Sequence, residues 1–226
     1  MEKSNIRVIL SAAISIDGKI STRINDSKLS SKEDSIRLHK LRSKVDAILI
    51  GKNTLLQDDP LLTVRHVKGK NPIRIILDSS GTISIKSKII KTSNEIPTII
   101  VVSKKITDVN LSKLKKLPVE IIISGENSVN LKLLMKKLST KKIKTILVEG
   151  GGTVNWEFIK NNIFDELIVT ISPYRIGGND ATSFVEGKGF AKITNSPKLK
   201  LKSIKRLKNY LVLNYLKVYV IILYLK

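Results

Sequence analysis

The stretch "ILVEGGGTVNW", Ile146 to Trp156, decides the fold. An apolar, β-branched run is followed by one carboxylate, three consecutive glycines and a segment patterned as a helix. Glycine weakens regular structure. Three of the chain's 12 glycines in a row therefore mark a sharp turn or a place where something must approach the backbone. Two readings stay open. One is a tight strand-to-helix turn with no ligand. The other is a helix start whose unpaired N–H groups and positive dipole end receive a phosphate or pyrophosphate. The run is neither the G-x-G-x-x-G fingerprint nor a P-loop, which needs Lys-Ser/Thr after its last glycine.

The same alternation of strand and helix extends in both directions. Strands are predicted at 6–13, 45–51, 73–78, 97–103, 119–124, 144–149 and 165–173 from their β-branched content. Helices are predicted at 30–44, 128–140 and 153–162. For 30–44, Ser30 and Glu33 have capping-box spacing. For 128–140, apolar residues at 131, 134, 135 and 138 share one face. Several strands are apolar throughout rather than alternating, as in a parallel sheet covered on both faces. The end differs: "KLKLKSIKRLKNYLVLNYLKVYVIILYL" holds no helix-sized break, and Lys208-Asn209 can turn an antiparallel hairpin. The expected class is α/β, a mostly parallel central sheet flanked by helices and closed by a C-terminal hairpin. One domain over 1–226 is expected.

Composition narrows the function. With no cysteine in 226 residues, disulfides, thiolate zinc sites and cysteine nucleophiles are excluded. The two histidines, His39 and His66, read as ordinary packing and loop residues, and no metal is expected. No apolar run reaches the roughly 20 residues of a membrane span, and the start is not a signal peptide. The cytoplasm is the expected location. The net charge of +22 points to nucleic acid or to a solvated lysine coat on an ordinary enzyme. The lysines are scattered and aromatic residues make up only 4%, which favours the coat. Trp156 reads as core.

The strand ends carry the chemistry. "SIDGKIST" (15–22) brings Asp17 and Lys19 past the first strand. "IGKNTLLQDDPLLTVR" (50–65) brings Thr54, a cap for the segment before it, and a rigid Asp58-Asp59-Pro60 loop. "LDSSGT" (77–82) and "SGEN" (124–127) add hydroxyls and glycines. Open α/β sheets bind ligands at this carboxyl edge, so the loops together suit a long, phosphate-bearing ligand.

These segments, with "NPIRIILDSSGT" and "ISPYRIGGNDATSFVEGKGF", resemble the pyrimidine reductases of riboflavin biosynthesis, over roughly residues 6 to 190. The stand-alone archaeal and fungal type is the nearest in pattern. The resemblance implies a dihydrofolate-reductase-like fold, a homodimer, and NADPH or in some cases NADH as cofactor. It implies reduction of the ribosyl side chain of 2,5-diamino-6-ribosylamino-4(3H)-pyrimidinone 5′-phosphate to the ribityl product. The deaminated uracil analogue is the alternative substrate, and another reductase of the same fold or a basic nucleic-acid-binding protein the alternative activity. The zinc deaminase fused to the bacterial relatives needs cysteines, so only the reductase half is expected.

The resemblance also implies roles. Gly150, Gly151, Gly152 and Thr153 hold the cofactor pyrophosphate. Thr54 and Asp58 touch its nicotinamide half. Ser79, Ser80, Gly81, Thr82 and Gly125 line its other half, and charge logic adds Lys104 and Lys105. On the substrate side, Lys19, Asp59 and Glu149 face the ribosyl chain, Arg42 and Arg65 bind the phosphate, and Asp17 orders the loop or touches substrate. Lys19 is the expected proton donor for ring opening, so its loss should reduce turnover more than binding. Glu149 is expected to hydrogen-bond the sugar hydroxyls.

Overall fold

The computed structural model describes residues 5–218. In chain order the elements are β1 (Arg7–Ile14), α1 (Lys32–Arg42), β2 (Ala47–Gly51), α2 (Lys52–Asp58), β3 (Ile73–Leu77), α3 (Lys88–Lys91), β4 (Thr98–Val102), α4 (Asp108–Lys115), β5 (Glu120–Ile123), α5 (Leu131–Ser139), β6 (Thr145–Val148), α6 (Gly152–Lys160), β7 (Glu166–Ile171), β8 (Leu199–Leu207) and β9 (Tyr210–Lys217). A short 3₁₀ turn at Ile193–Asn195 precedes β8.

The nine strands form one sheet in the order β5-β4-β3-β2-β6-β1-β7-β9-β8. Every pairing from β5 to β7 is parallel, and β9 runs antiparallel to both β7 and β8. The expected hairpin is present, with Lys208-Asn209 as its two-residue turn and Lys208 at φ 55°. The apolar tail beyond Val218 lies outside the described residues.

The continuous apolar runs are explained by two cores. Successive strand side chains point to opposite faces. Thus Leu49, Ile75, Val101 and Val148 join one core with α5 and Phe158 of α6. Ile48, Ile50, Ile76, Ile100 and Leu147 join the other with Leu55 of α2, Ile89 and Ile90 of α3 and Leu114 of α4. The four predicted apolar positions of α5, Leu131, Leu134, Met135 and Leu138, are all buried.

Three local expectations are corrected. The N-cap of α1 is Ser31, whose side chain accepts the Asp34 amide; Ser30 instead donates its hydroxyl to Asp34 Oδ2 at 2.9 Å. The stretch after β2 begins as a helix, α2, and Thr54 lies inside it rather than capping a segment. Helices α3 and α4 were not anticipated. They are short and lysine-rich, with weak amphipathic pattern, so packing rather than propensity fixes them.

The register centres the site. Val148 of β6 pairs with Leu10 of β1 on one side and Leu49 of β2 on the other. The chain that follows, Glu149 and the glycines, therefore emerges at the middle of the carboxyl edge.

Candidate active site

At that edge lies an open cavity of about 650 Å³. Strands β2 to β5 step outward in order, whereas β6 returns to the gap between β1 and β2. Such reversals leave a crevice at the carboxyl ends, the usual ligand position in open α/β sheets. The cavity is lined by Ser11, Ala12 and Ala13 of β1, by Ser30, Asp34 and Arg37 of the α1 region, and by Lys52, Thr54 and Asp58 of α2. Asp78, Ser79 and Ser80 after β3, the run Glu149–Asn155, and Asn179–Thr182 with Glu186 also line it.

The glycine bend forms its centre. Gly150 has φ 91°, a left-handed conformation that side chains resist. At Gly152 a Cβ would stand 2.5 Å from both Ser183 O and Glu186 Cγ, closer than packing allows. Gly151 donates its amide to Thr54 Oγ1 at 2.8 Å, which fastens the bend to α2. The next three amides, of Gly152, Thr153 and Val154, open α6 and have no partner among the described residues. They are the free donors of a helix start. Beside them, Asn155 is 1% exposed and its Oδ1 has no partner. Ser11 Oγ is likewise buried and unpaired. Buried polar atoms without partners are rare, and both residues line the cavity.

At one end of the cavity, Asp34 Oδ1 accepts Arg37 Nε and Thr170 Oγ1, each at 2.7 Å, and Arg37 Nη2 reaches Thr170 Oγ1 at 3.2 Å. Toward the other, Lys52 Nζ donates to Thr82 Oγ1 at 3.0 Å and stands 3.8 Å from Asp78 Oδ1. Asp78 also accepts the amides of Ser80 and Ile83, at 3.3 and 2.8 Å, and of Thr82. Arg37 and Lys52 are the two basic residues lining the cavity.

Glu149 lines the cavity but is held from behind. Its carboxylate forms a two-point pair with Arg42, Nε at 2.7 Å and Nη2 at 2.6 Å, while Arg42 Nη1 donates to Thr63 O at 3.2 Å. Both side chains are nearly buried, 11% and 9% exposed. Burial opposes the Arg42 charge, and the Glu149 pair more than offsets it, so the guanidinium pKa is raised. Next to it, buried His39 accepts the Arg65 amide on Nδ1 at 2.8 Å. Burial, with Arg42, His66 and Arg65 nearby, lowers its pKa to about 4.

The segment 176–186 is stitched across the site. Asp17 accepts the amides of Ile176 and Gly177 at 3.0 and 2.7 Å. These bonds, the Ile176 one foremost, hold its carboxyl well below the usual carboxylate range. Lys19 Nζ donates to Ala181 O at 2.9 Å and to Ser183 Oγ at 3.1 Å. Glu186 donates its amide to Gly152 O at 3.2 Å. Trp156 is buried as expected, stacked edge-on against Phe190 at 5.1 Å.

The residues singled out in sequence thus divide. Thr54, Asp58, Ser79, Ser80, Glu149, Gly150, Gly151, Gly152 and Thr153 line the cavity. Asp17, Lys19, Arg42, Asp59, Arg65, Gly81, Thr82 and Gly125 are not among its lining residues. Arg42 is engaged by Glu149, and Arg65 bonds Thr63 Oγ1 at 2.6 Å. Asp59, in the left-handed region at φ 38°, accepts the Lys88 amide at 2.8 Å and so caps α3. A Cβ on Gly81 would stand 2.4 Å from Ile106 Cδ1, and Gly125 O accepts the Lys104 amide at 2.9 Å. Both are packing glycines. Lys104 Nζ pairs with Glu126 at 2.8 Å on the surface. Among the lining residues that sequence reasoning missed, Ser11, Asp34, Arg37, Lys52, Asp78 and Asn155 lie inside regular elements or at their ends, with no local pattern to flag them. Among the described residues no cluster of His, Cys, Asp or Glu could hold a metal ion, and no helix is long and apolar enough to cross a membrane.

Comparison with known proteins agrees with this geometry. The sequence profile of the RibD C-terminal domain matches residues 7–213. A Methanothermobacter thermautotrophicus protein named 2,5-diamino-6-ribosylamino-4(3H)-pyrimidinone 5′-phosphate reductase is 36% identical over 211 residues, 92% of this chain and 96% of the relative. An Aquifex aeolicus protein of the same name is 37% identical over 201 residues, 87% of this chain and 89% of the relative. Among solved structures, a Thermotoga maritima deaminase/5-amino-6-(5-phosphoribosylamino)uracil reductase superposes with a TM-score of 0.77 at 25% identity, over 94% of this chain and 57% of that one. Dihydrofolate reductase from Enterococcus faecalis shares the fold, with a TM-score of 0.55 at 11% identity over 96% of this chain and all (100%) of its own. By sequence, by strand order and by the cavity at its carboxyl edge, the chain belongs to the RibD C-terminal domain family, the pyrimidine reductases of riboflavin biosynthesis.

Proposed function

We propose that the protein reduces the ribosyl side chain of 2,5-diamino-6-ribosylamino-4(3H)-pyrimidinone 5′-phosphate to the ribitylamino product, with NADPH as hydride donor. The observation that carries the reading is the free amide cluster of Gly152, Thr153 and Val154, opening into a cavity with a basic residue toward each end. Helix starts of this kind suit a diphosphate. The residues fit a dinucleotide: the α6 amides would meet its diphosphate, Thr54 and Asp58 would border its nicotinamide, and Ser79, Ser80 and Lys52 would border its adenosine half.

When bound, the cofactor supplies the hydride. The protein's own groups do the rest. Ring opening breaks the bond between the anomeric carbon and the ring oxygen, and that oxygen needs a proton. Lys19 does not itself line the cavity, but its ammonium is held by Ala181, which does, and by Ser183; of its three N–H donors the third would carry the proton to the departing oxygen. Glu149, fixed by Arg42, accepts hydrogen bonds from the sugar hydroxyls and holds the anomeric carbon against the nicotinamide. The nitrogen keeps its own proton as the ring opens, so the product of that step is an iminium. A hydride supplied at its carbon would neutralise it, and no second proton is needed. The segment 176–186 borders this step at the rim of the cavity.

A single reductase domain, a homodimeric assembly and a cytoplasmic location complete the reading. The test is NADPH oxidation followed at 1:1 stoichiometry with the diamino and the deaminated pyrimidine phosphates side by side. Turnover preferring the diamino compound is expected. Preference for the uracil analogue, or no oxidation with either, overturns it.

A further inference from the structure

The stretch 181–186 touches the loop of Lys19 with one side and the start of α6 with the other. We propose that Ser183 and Asn155 are positioning residues of the reaction. Through this stretch they tie the Lys19 ammonium to the α6 bend, so that the proton donor and the cofactor seat are set as one unit. This rests on the reductase reading above.

On the donor side, Lys19 Nζ is held by Ala181 O at 2.9 Å and by Ser183 Oγ at 3.1 Å. The same stretch holds the backbone around it. Ile20 donates its amide to Thr182 O at 2.8 Å, and Phe184 donates its amide to Gly18 O at 2.9 Å. On the cofactor side, Asn155 Nδ2 donates to Phe184 O at 2.9 Å, and Glu186 donates its amide to Gly152 O at 3.2 Å. Ser183 O packs so closely on Gly152 that a Cβ there would stand 2.5 Å from it. Phe184 is therefore pinned by its N–H to the residue before Lys19 and by its carbonyl to α6. Close-packed structure transmits displacement, so a shift at the α6 start moves Ser183 and, with it, an acceptor of the ammonium.

Asn155 carries the second argument. It is 1% exposed, and its amide serves Phe184 with one half while Oδ1 has no partner. A buried acceptor without a donor costs stability, and a leucine of similar shape would fill the place without that cost. What the asparagine contributes is its hold on Phe184. Its Oδ1 is enclosed, so the residue acts through the 181–186 stretch and not by touching a ligand.

The experiment is a pair of double-mutant cycles with Lys19, read as kcat and KM with NADPH and the diamino pyrimidine phosphate. Ser183→Ala and Asn155→Leu should each lower kcat by about 5- to 30-fold, the worth of one or two hydrogen bonds. KM, and NADPH affinity read by nicotinamide fluorescence, should stay within about twofold, because ground-state binding is untouched. In a Lys19→Ala background neither change should lower kcat by more than about twofold, since residues that act through one another are not additive. Ser183→Thr keeps the hydroxyl and should recover most of the lost turnover. Asn155→Leu removes one bare acceptor and leaves another at Phe184 O, so its melting temperature should lie within about 3 °C of wild type. Acetylation of the Lys19 amine by acetic anhydride, followed on its peptide by mass spectrometry, decides the matter if Lys19→Ala turns over too slowly. It should be about fivefold faster in Ser183→Ala, where one hydrogen bond to the amine is gone. Equal losses in the wild-type and Lys19→Ala backgrounds, a loss confined to NADPH affinity, or unchanged kcat and acetylation overturn the assignment while the wild type still turns over. A wild type that oxidises NADPH with neither pyrimidine phosphate removes the reductase reading and the assignment with it.

Discussion

The α1 end of the cavity and its centre are built from different materials. The α1 end is made of side chains from distant segments: Asp34, Arg37 and Thr170 meet although Thr170 lies 136 residues from Asp34. The α6 bend is made of main chain: three glycines turn, and successive amides face the cavity. The contrast separates two ways of presenting polar groups to a cavity. The side-chain end relies on charges cross-linked in a partly dry site, where loss of one partner leaves the other exposed to a large desolvation penalty. The main-chain centre relies on shape, and is harmed by added bulk rather than by lost charge.

The strongest way to break this contrast acts through Glu149, where the two materials join. Glu149→Ala leaves Arg42 buried and unpaired, and should cost about 3–5 kcal/mol of stability, read from urea unfolding. Removing Arg42 as well should cost less than the sum of the single changes. A single-variant loss below about 1 kcal/mol would mean that solvent reaches the pair. The next test adds bulk at the main-chain bend. Gly152→Val sets a Cβ 2.5 Å from Ser183 O; it should cost the ~1–3 kcal/mol of stability typical of overpacking, read from urea unfolding, and by displacing the α6 amides it should weaken NADPH binding as well. Unchanged affinity would show that the bend does not contact the cofactor.

The smallest effect concerns His39, behind the side-chain end. Its pKa is about 4 in the fold and roughly 6.5 in an unfolded chain. Between these values the unfolded chain binds a proton that the fold excludes. The stability is complete above about 6.5 and declines as pH falls toward 4. A melting temperature a few degrees lower at pH 5 than at pH 7 is expected, with His39→Gln flattening the difference. A pH-independent wild type would place His39 in contact with water.

The same contrast explains what could be read from the sequence. Main-chain devices leave local marks. The glycine run, the strand ends with Ser, Thr and Asp, and the apolar strand runs all pointed to a parallel sheet with a ligand edge, and the hairpin turn at Lys208-Asn209 was legible too. Side-chain devices leave none. Nothing in "SSKEDSIRLHKLR" says that Arg37 reaches the cavity while Arg42, five residues on, turns to Glu149. That choice is made by the packing of α1 on the sheet. Helix α2 was missed because its one inward hydroxyl, Thr54, bonds a glycine 97 residues away instead of its own backbone.

The stitching of 176–186 by Asp17, Lys19 and Gly152 has a last consequence. These anchors are polar and lie at the rim, while the two apolar cores lie on the two faces of the sheet. Such a strap opens as a local event, at a free-energy cost well below that of global unfolding. Ligand traffic and thermal endurance are then separately adjustable. Selection for faster product escape has only to loosen a few rim bonds, and leaves the melting behaviour of the molecule almost untouched.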